Sequence, residues 1–213
     1  MDCPTVAIVV MGVTGCGKTT VGTLLAQRLG APYLDADDFH PAANVTKMRA
    51  GTPLTDEDRQ PWLAAIAERI AADTGPRPVM SCSALKRKYR NVLRQADPRV
   101  WFLHLVIDEA AAFQRVASRP SHFMPASLVA TQFSQLEPLR AEAGLAVDAT
   151  QPPQNIVTAA VRQMIAQGLL TPAPVIPDRQ IPPEKRPAPL SASQRATPVT
   201  DRNQRGGCPV DQG

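Results

Sequence analysis

Val6-Ala7-Ile8-Val9-Val10-Met11 runs directly into Gly12-Val13-Thr14-Gly15-Cys16-Gly17-Lys18-Thr19-Thr20, and a periodic segment over 21–29 follows. An unbroken apolar run of this kind is what a parallel strand buried on both faces requires. Val21, Leu24, Leu25 and Leu29 recur at helical spacing. Between strand and helix, residues 12–19 fit G-x-x-x-x-G-K-[ST], the phosphate-binding P-loop. Glycines let such a backbone curl so that its N–H groups point inward, and the following helix turns its positive end toward the same anion. In that frame Lys18 reaches the β- and γ-phosphates and the Thr19 hydroxyl is placed for Mg2+. The strand before the motif and the helix after it favour nucleotide binding over an ordinary glycine-rich turn.

The chain has 213 residues, 44% of them hydrophobic and 20% charged, enough for one domain with a sizeable core. A net charge of +4 suits a small anionic ligand as readily as a polyanion and decides nothing alone. Cys3, Cys16, Cys82 and Cys208 are scattered, so neither a zinc site nor a disulfide framework is indicated. No secretory signal and no membrane-length apolar run is present, so a cytoplasmic protein is expected.

Along the chain, Gly30 is placed to end the first helix, and residues 31–35 predict a second strand that runs into Asp35, Asp37 and Asp38. If the backbone stays extended there, Asp35 and Asp37 share a face. Carboxylates beside a P-loop can position Mg2+ or take a proton from a hydroxyl, and Asp37 is the preferred candidate over a plain solvated loop. Residues 41–53 predict a short helix and loop containing Lys47. Thr55-Asp56-Glu57-Asp58 has the look of a helix start, with Trp62, Leu63, Ile66 and Ile70 as its core stripe and Pro61 a source of kinking or a later start.

Residues 78–82 predict a third strand, after which Ser83 is placed to cap a basic helix. Lys86 and Arg90 are four residues apart on that helix, where their charge opposes the helix dipole, so anion binding is expected of them rather than mere solvation. Residues 100–106 predict a strong strand in which His104 reads as a core histidine with a hydrogen-bond partner. A helix over 109–119 carries Arg115 and Arg119, and the proline-bounded segment 120–125 contains His122. A further helix over 127–137 carries Gln132, and a last strand over 143–147 leads to Gln151 and Pro152. Pro153 opens the final helix and Gly168 ends it. From 171 to 213 the chain is rich in Pro, Gln, Ser and Arg without periodicity, so a disordered tail is expected beside a domain of residues 1–170. The alternation of strands and helices predicts an α/β fold, a parallel sheet covered by helices on both faces.

Several stretches together resemble one family. They are the P-loop from Met11 to Thr19, Asp35-Ala36-Asp37-Asp38-Phe39-His40-Pro41, Asn44-Val45-Thr46-Lys47-Met48, and Pro53-Leu54-Thr55-Asp56-Glu57-Asp58-Arg59-Gln60-Pro61-Trp62-Leu63. Ser81-Cys82-Ser83-Ala84-Leu85-Lys86-Arg87-Lys88-Tyr89-Arg90, His122-Phe123-Met124-Pro125 and Gln132-Phe133 belong to the same set. In this order, over residues 5–168, they resemble the gluconate kinases. The sequence departs from that pattern at Pro120-Ser121, where Lys-Gly is frequent, and at Cys16, where Ser is usual.

The resemblance implies the three-layer fold of the nucleoside-monophosphate-kinase-like P-loop kinases, with a five-stranded parallel sheet in the order 2-3-1-4-5. It also implies ATP and Mg2+ as cofactors, D-gluconate as the acceptor at its 6-hydroxyl, a cytoplasmic homodimer, and no membrane or nucleic-acid partner. On that basis Gly12, Val13, Thr14, Gly15, Cys16, Gly17, Lys18, Thr19 and Thr20, with Arg115, Arg119, Gln151 and Pro152, would hold ATP, and Thr19 the metal. Asp37, His40, Lys47, Lys86, Arg90, His122 and Gln132 would meet the acceptor, and Lys18, Asp37 and Arg119 would carry the chemistry. Three alternatives stay open at this point: a kinase of the same fold for shikimate or a nucleotide, a nucleotide-binding regulator without catalysis, and a nucleic-acid-associated protein using its basic tail.

Overall fold

Strands and helices alternate along the chain in a computed structural model that describes residues 4–72, 77–118, 128–140 and 142–170. The elements are β1 (Ile8–Met11), α1 (Lys18–Leu29), β2 (Tyr33–Asp35), a 3-10 turn (Ala36–Phe39), α2 (Ala42–Arg49) and α3 (Asp56–Ala71). There follow β3 (Val79–Ser81), α4 (Arg87–Ala96), β4 (Trp101–Val106), α5 (Glu109–Ala117), α6 (Leu128–Gln135), β5 (Gly144–Asp148) and α7 (Pro153–Ala166). The strands form one five-stranded sheet in the order β2-β3-β1-β4-β5. Every pairing is parallel, with Val9 opposite Met80 on one side and Phe102 on the other. The parallel α/β architecture is the one that the alternation of elements predicts, and the strand order is the one that the family resemblance implies.

β1 is central, and its alternation divides the core in two. Ile8 and Val10 pack with Val21, Leu25, Val116, Ile156 and Met164 on the face covered by α1, α5 and α7. Ala7, Val9 and Met11 pack with Trp62, Ile66, Ile70, Tyr89 and Leu93 beneath α3 and α4. All four residues of β1 are buried, which explains the unbroken apolar run. Parallel strands deliver their carboxyl ends to one edge of the sheet, where open α/β folds bind ligands.

Local chemistry sets the ends of the elements. Gly30 adopts φ 63° and donates its N–H to the carbonyls of Ala26 and Gln27, which stops α1. Thr55 and Asp58 form a reciprocal capping box at the start of α3, and α3 continues through Pro61. A proline so near the start removes one ladder donor on a solvent-facing position, and the buried Trp62, Leu63, Ile66 and Ile70 hold the helix regardless.

Two local expectations are corrected. The backbone does not stay extended after Asp35, because the Asp35 carboxylate accepts the N–H of Asp37 and starts the 3-10 turn. Ser83 does not cap α4, whose N-cap is Lys86. Between them Ala84 sits at φ 42°, a left-handed conformation that costs a non-glycine residue about 1 kcal/mol or more. The predicted segment 120–125 and the predicted tail 171–213 lie outside the described residues. Among the described residues, no helix is long and apolar enough to cross a membrane.

Candidate active site

The P-loop leaves β1 at Gly12 and enters α1 at Lys18. Gly12 and Gly15 adopt φ 140° and 81°, and both are pressed against other backbone. A Cβ on Gly12 would lie 2.8 Å from the carbonyl oxygen of Leu105, and one on Gly15 would lie 2.7 Å from that of Ala112. Only glycine meets both demands at these positions. The Lys18 ammonium donates to the Val13 carbonyl oxygen at 2.9 Å, which holds it across the loop. Thr14 donates its backbone N–H to Gln132 Oε1 at 2.7 Å, so α6 is tied to the loop as well.

Three compartments adjoin along this edge. The first is lined by Gly17, Thr20, Arg115, Thr150, Gln151 and Pro152. Arg115 is fixed there by donating to the Ala149 carbonyl oxygen at 3.1 Å. The second, lined by Gly15, Lys18, Thr19, Asp35, Asp37 and Gln132, is the polar cradle of the loop itself. The third is lined by Asp37, His40, Arg59, Trp62, Ser83 and Gln132, among others. Gly17 and Thr20 belong to the first two, while Asp37 and Gln132 belong to the second and third. A ligand laid along the edge would therefore meet the loop in the middle and Asp37 where it passes into the third compartment.

The turn that carries Asp37 is fastened from below. The buried Trp62 indole donates to the Ala36 carbonyl oxygen at 2.7 Å, and the Trp62 ring stacks on His40 with centroids 4.4 Å apart. Asp37 itself stays open to the cleft, with its side chain 47% exposed. Desolvation by the cleft walls and the charge of Asp35 raise its pKa above the ordinary carboxylate value, against the opposing pull of Lys18. His40 is pushed down to about 4 by burial and by the Arg59 charge, so its imidazole is neutral near pH 7. The Asn44 amide lies 3.4 Å from His40 Nδ1, and His40 Nε2 is 4.0 Å from Asp37 Oδ1. His40 thus shapes the wall beside Asp37 without a charge. The Cys82 thiol in the same cradle is pushed up to about 12 by burial and stays protonated.

The expected acceptor residues divide. Asp37, His40 and Gln132 come together at the third compartment. Lys47 and Lys86 instead donate to Asp58 and Asp56, at 2.7 and 2.9 Å, on the first turn of α3. Lys88 and the Tyr89 hydroxyl also donate to Asp56. Arg90 is a correction: its side chain is fully buried, with Nε and Nη2 on Glu142 and Nη1 on the carbonyl oxygens of Ala84 and Leu85. Its charge is consumed in holding the strained 82–86 loop, because Glu142 is buried and needs a cation. His104 is buried as expected, yet its Nε2 has no hydrogen-bond partner among the described residues, contrary to expectation. Arg119 and His122 lie outside the described residues. Gly12, Val13 and Cys16 lie in the loop between β1 and α1, Thr20 lies in the first turn of α1, and Gln151 and Pro152 line the first compartment.

Sequence reasoning missed Arg59, Ser83 and Gln135 on the third compartment, while Asp35, weighed with Asp37 as a carboxylate beside the loop, lines the second. Arg59 had a usable signal. It is a cation in the first turns of α3, placed against the dipole in the same sense as Lys86. Its Nη1 donates to the Leu54 carbonyl oxygen at 2.7 Å and to the Tyr89 hydroxyl at 3.3 Å, which fixes the guanidinium at the wall.

Comparison with known proteins places this geometry. A family model described as shikimate kinase matches residues 14–165. A gluconokinase of Gluconobacter oxydans is 48% identical over 134 residues, covering 61% of this chain and 74% of the relative. Among solved structures, a sugar kinase from Janibacter sp. HTCC2649 superposes with a TM-score of 0.73 at 44% identity, over 79% of this chain and all of the other. A gluconokinase from Sinorhizobium meliloti 1021 gives 0.71 at 44% identity, over 78% of this chain and 95% of the other. The family model covers the shared kinase domain, and the relatives at this level of identity mark the branch.

Proposed function

Because the chain belongs to the gluconokinase family, within the P-loop kinases that the shikimate kinase model describes, we propose that it transfers the γ-phosphoryl group of ATP to the 6-hydroxyl of D-gluconate. The observation that carries this reading is the shared wall at Asp37 and Gln132. A phosphate cradle that opens through a carboxylate into a second, non-nucleotide compartment suits transfer to a separate acceptor, and not hydrolysis or regulation alone.

In this reading the nucleoside lies against Gln151 and Pro152 with Arg115 beside the phosphates. The loop amides of residues 15–19 and Lys18 hold the phosphates, and Lys18 exchanges the Val13 carbonyl oxygen for phosphate oxygens. Thr19 and Asp35 offer the hard oxygen donors that Mg2+ prefers, few enough to leave room for phosphate oxygens and water. Mg2+ bound there would offset the charge of the β- and γ-phosphates. Asp37 orients the acceptor hydroxyl and takes its proton, a task that its raised pKa favours. Arg59 supplies the positive charge for the acceptor carboxylate that Arg90 does not. Arg119 and His122 retain their proposed roles at the migrating phosphoryl group and the acceptor. The reading carries with it a cytoplasmic homodimer, as the family resemblance implies.

The test is ADP release with a panel of acceptors: D-gluconate, shikimate, nucleoside monophosphates and neutral sugars. D-gluconate should be the preferred acceptor, and Lys18→Ala should reduce its turnover by about 10³-fold. Turnover of shikimate or a nucleotide in place of gluconate would overturn the assignment.

A further inference from the structure

Gln135 ends α6, and its side chain lines the acceptor compartment. Its Oε1 is buried and accepts no hydrogen bond from any described residue. A buried acceptor left in that state destabilises a fold, so its donor lies outside the described residues. The same helix provides the contrast. Gln132, three residues earlier, places its Oε1 on the Thr14 N–H. The nearby Trp62 indole is already committed to the Ala36 carbonyl oxygen. Gln132 and Asp37 also line the phosphate cradle, whereas Gln135 lines the acceptor compartment without reaching the cradle. A ligand donor reaching Gln135 from this compartment would belong to the part of the acceptor remote from the reacting end.

We propose that Gln135 is a specificity-determining residue, whose Oε1 accepts a hydrogen bond from one hydroxyl of the polyhydroxy acid along its chain away from the phosphorylated carbon. The inference rests on the acceptor reading given above. A hydroxyl fits because it donates to a carbonyl oxygen, and a site that holds one such hydroxyl rejects an analogue lacking it more sharply than an apolar wall can.

Gln135→Met keeps the length of the side chain and removes the amide. Steady-state kinetics of both proteins are compared with D-gluconate and with its single-deoxy analogues at each hydroxyl other than the reacting one. The expected result is a rise of about tenfold in KM for D-gluconate, with kcat and KM for ATP within about twofold. One analogue should have the same KM in both proteins, because it lacks the hydroxyl that Gln135 holds. The ligand-free melting temperature should be unchanged or higher, since an unsatisfied acceptor has been removed. A KM for D-gluconate within twofold of wild type, or an equal rise across every analogue, overturns the proposal. Loss of the cooperative melting transition in both Gln135→Met and Gln135→Leu also overturns it, because the amide would then be holding the fold. If wild-type protein turns over a different hydroxylated acceptor, the gluconate reading fails while the same comparison on that acceptor and its deoxy analogues decides the role of Gln135. Absence of turnover with every acceptor overturns both.

Discussion

Asp37 gathers opposing influences at one carboxyl group. Surrounding protein and the Asp35 charge raise its pKa, and Lys18 lowers it by less. An acid whose pKa is raised keeps its proton to higher pH, so the basic form is lost as pH falls through that raised value. Turnover should therefore show an acid limb above the ordinary aspartate pKa of about 3.9. In the ligand-free protein, replacing Asp35 by Asn removes the like charge, and the Asp37 carboxyl, followed by NMR, should titrate at lower pH. A titration that stays in place would mean that Asp35 does not set it. Asp37→Asn should lower kcat by about 10²- to 10⁴-fold while nucleotide affinity, read by calorimetry, changes little. Near-normal turnover would remove Asp37 from the role. The sequence made Asp37 visible because acidic residues just after the strand that follows a P-loop have few other reasons to cluster. Arg59 and Gln135 were hidden for opposite reasons: one lies in a helix start whose capping explained it away, and the other is an uncharged residue whose significance depends on what it fails to touch.

At the scale of elements, the third strand and α4 show how a correct pattern can carry a wrong assignment. The periodicity of β1, α1, β4 and α7 gave their places, because burial on one or both faces leaves a direct trace in apolar spacing. The loop between β3 and α4 leaves no such trace. Its course depends on Arg90 reaching back to the carbonyl oxygens of Ala84 and Leu85, and on Glu142, 52 residues away, holding Arg90 from the other side. No local window contains that pair. Burial pushes the Glu142 carboxyl up, but hydrogen bonds from Arg90 and Arg94 outweigh it and hold the pKa below the usual value. A depressed carboxyl contributes stability that is present above its unfolded pKa and is lost as pH falls through the folded one. Glu142→Gln leaves a buried cation short of its partner and should cost about 3 kcal/mol, read as a lower denaturation midpoint at pH 7. The deficit should shrink as the pH falls from the ordinary glutamate range toward the depressed folded pKa, below which the wild-type carboxyl is neutralised as well. A deficit under 1 kcal/mol at pH 7 would mean that Arg87 and Arg94 do not depend on this carboxylate and that the loop is held otherwise.

At the scale of the whole folded unit, the site is a line of three compartments along the carboxyl edge of one sheet, joined by shared walls at Gly17 and Asp37. In the proposed reading the donor and acceptor ends rest on different elements: α5 and the segment after β5 for one, and the 3-10 turn, α3 and α6 for the other. This separation predicts that the two ligands bind together and that each stabilises the fold in its own right. A ligand at about 100 times its Kd adds about 2.7 kcal/mol, roughly 5–10 °C in melting temperature for a chain of this length. ADP with Mg2+ and D-gluconate should each raise the melting temperature, and the pair should raise it further than either. Lys18→Ala removes the cation of the middle compartment only, so it should abolish most of the nucleotide shift and leave the gluconate shift intact. The decisive outcome lies in that variant. If the gluconate shift disappears with the nucleotide shift, or if the two ligands displace one another in wild type, the acceptor lies in the phosphate cradle and the third compartment is not its site.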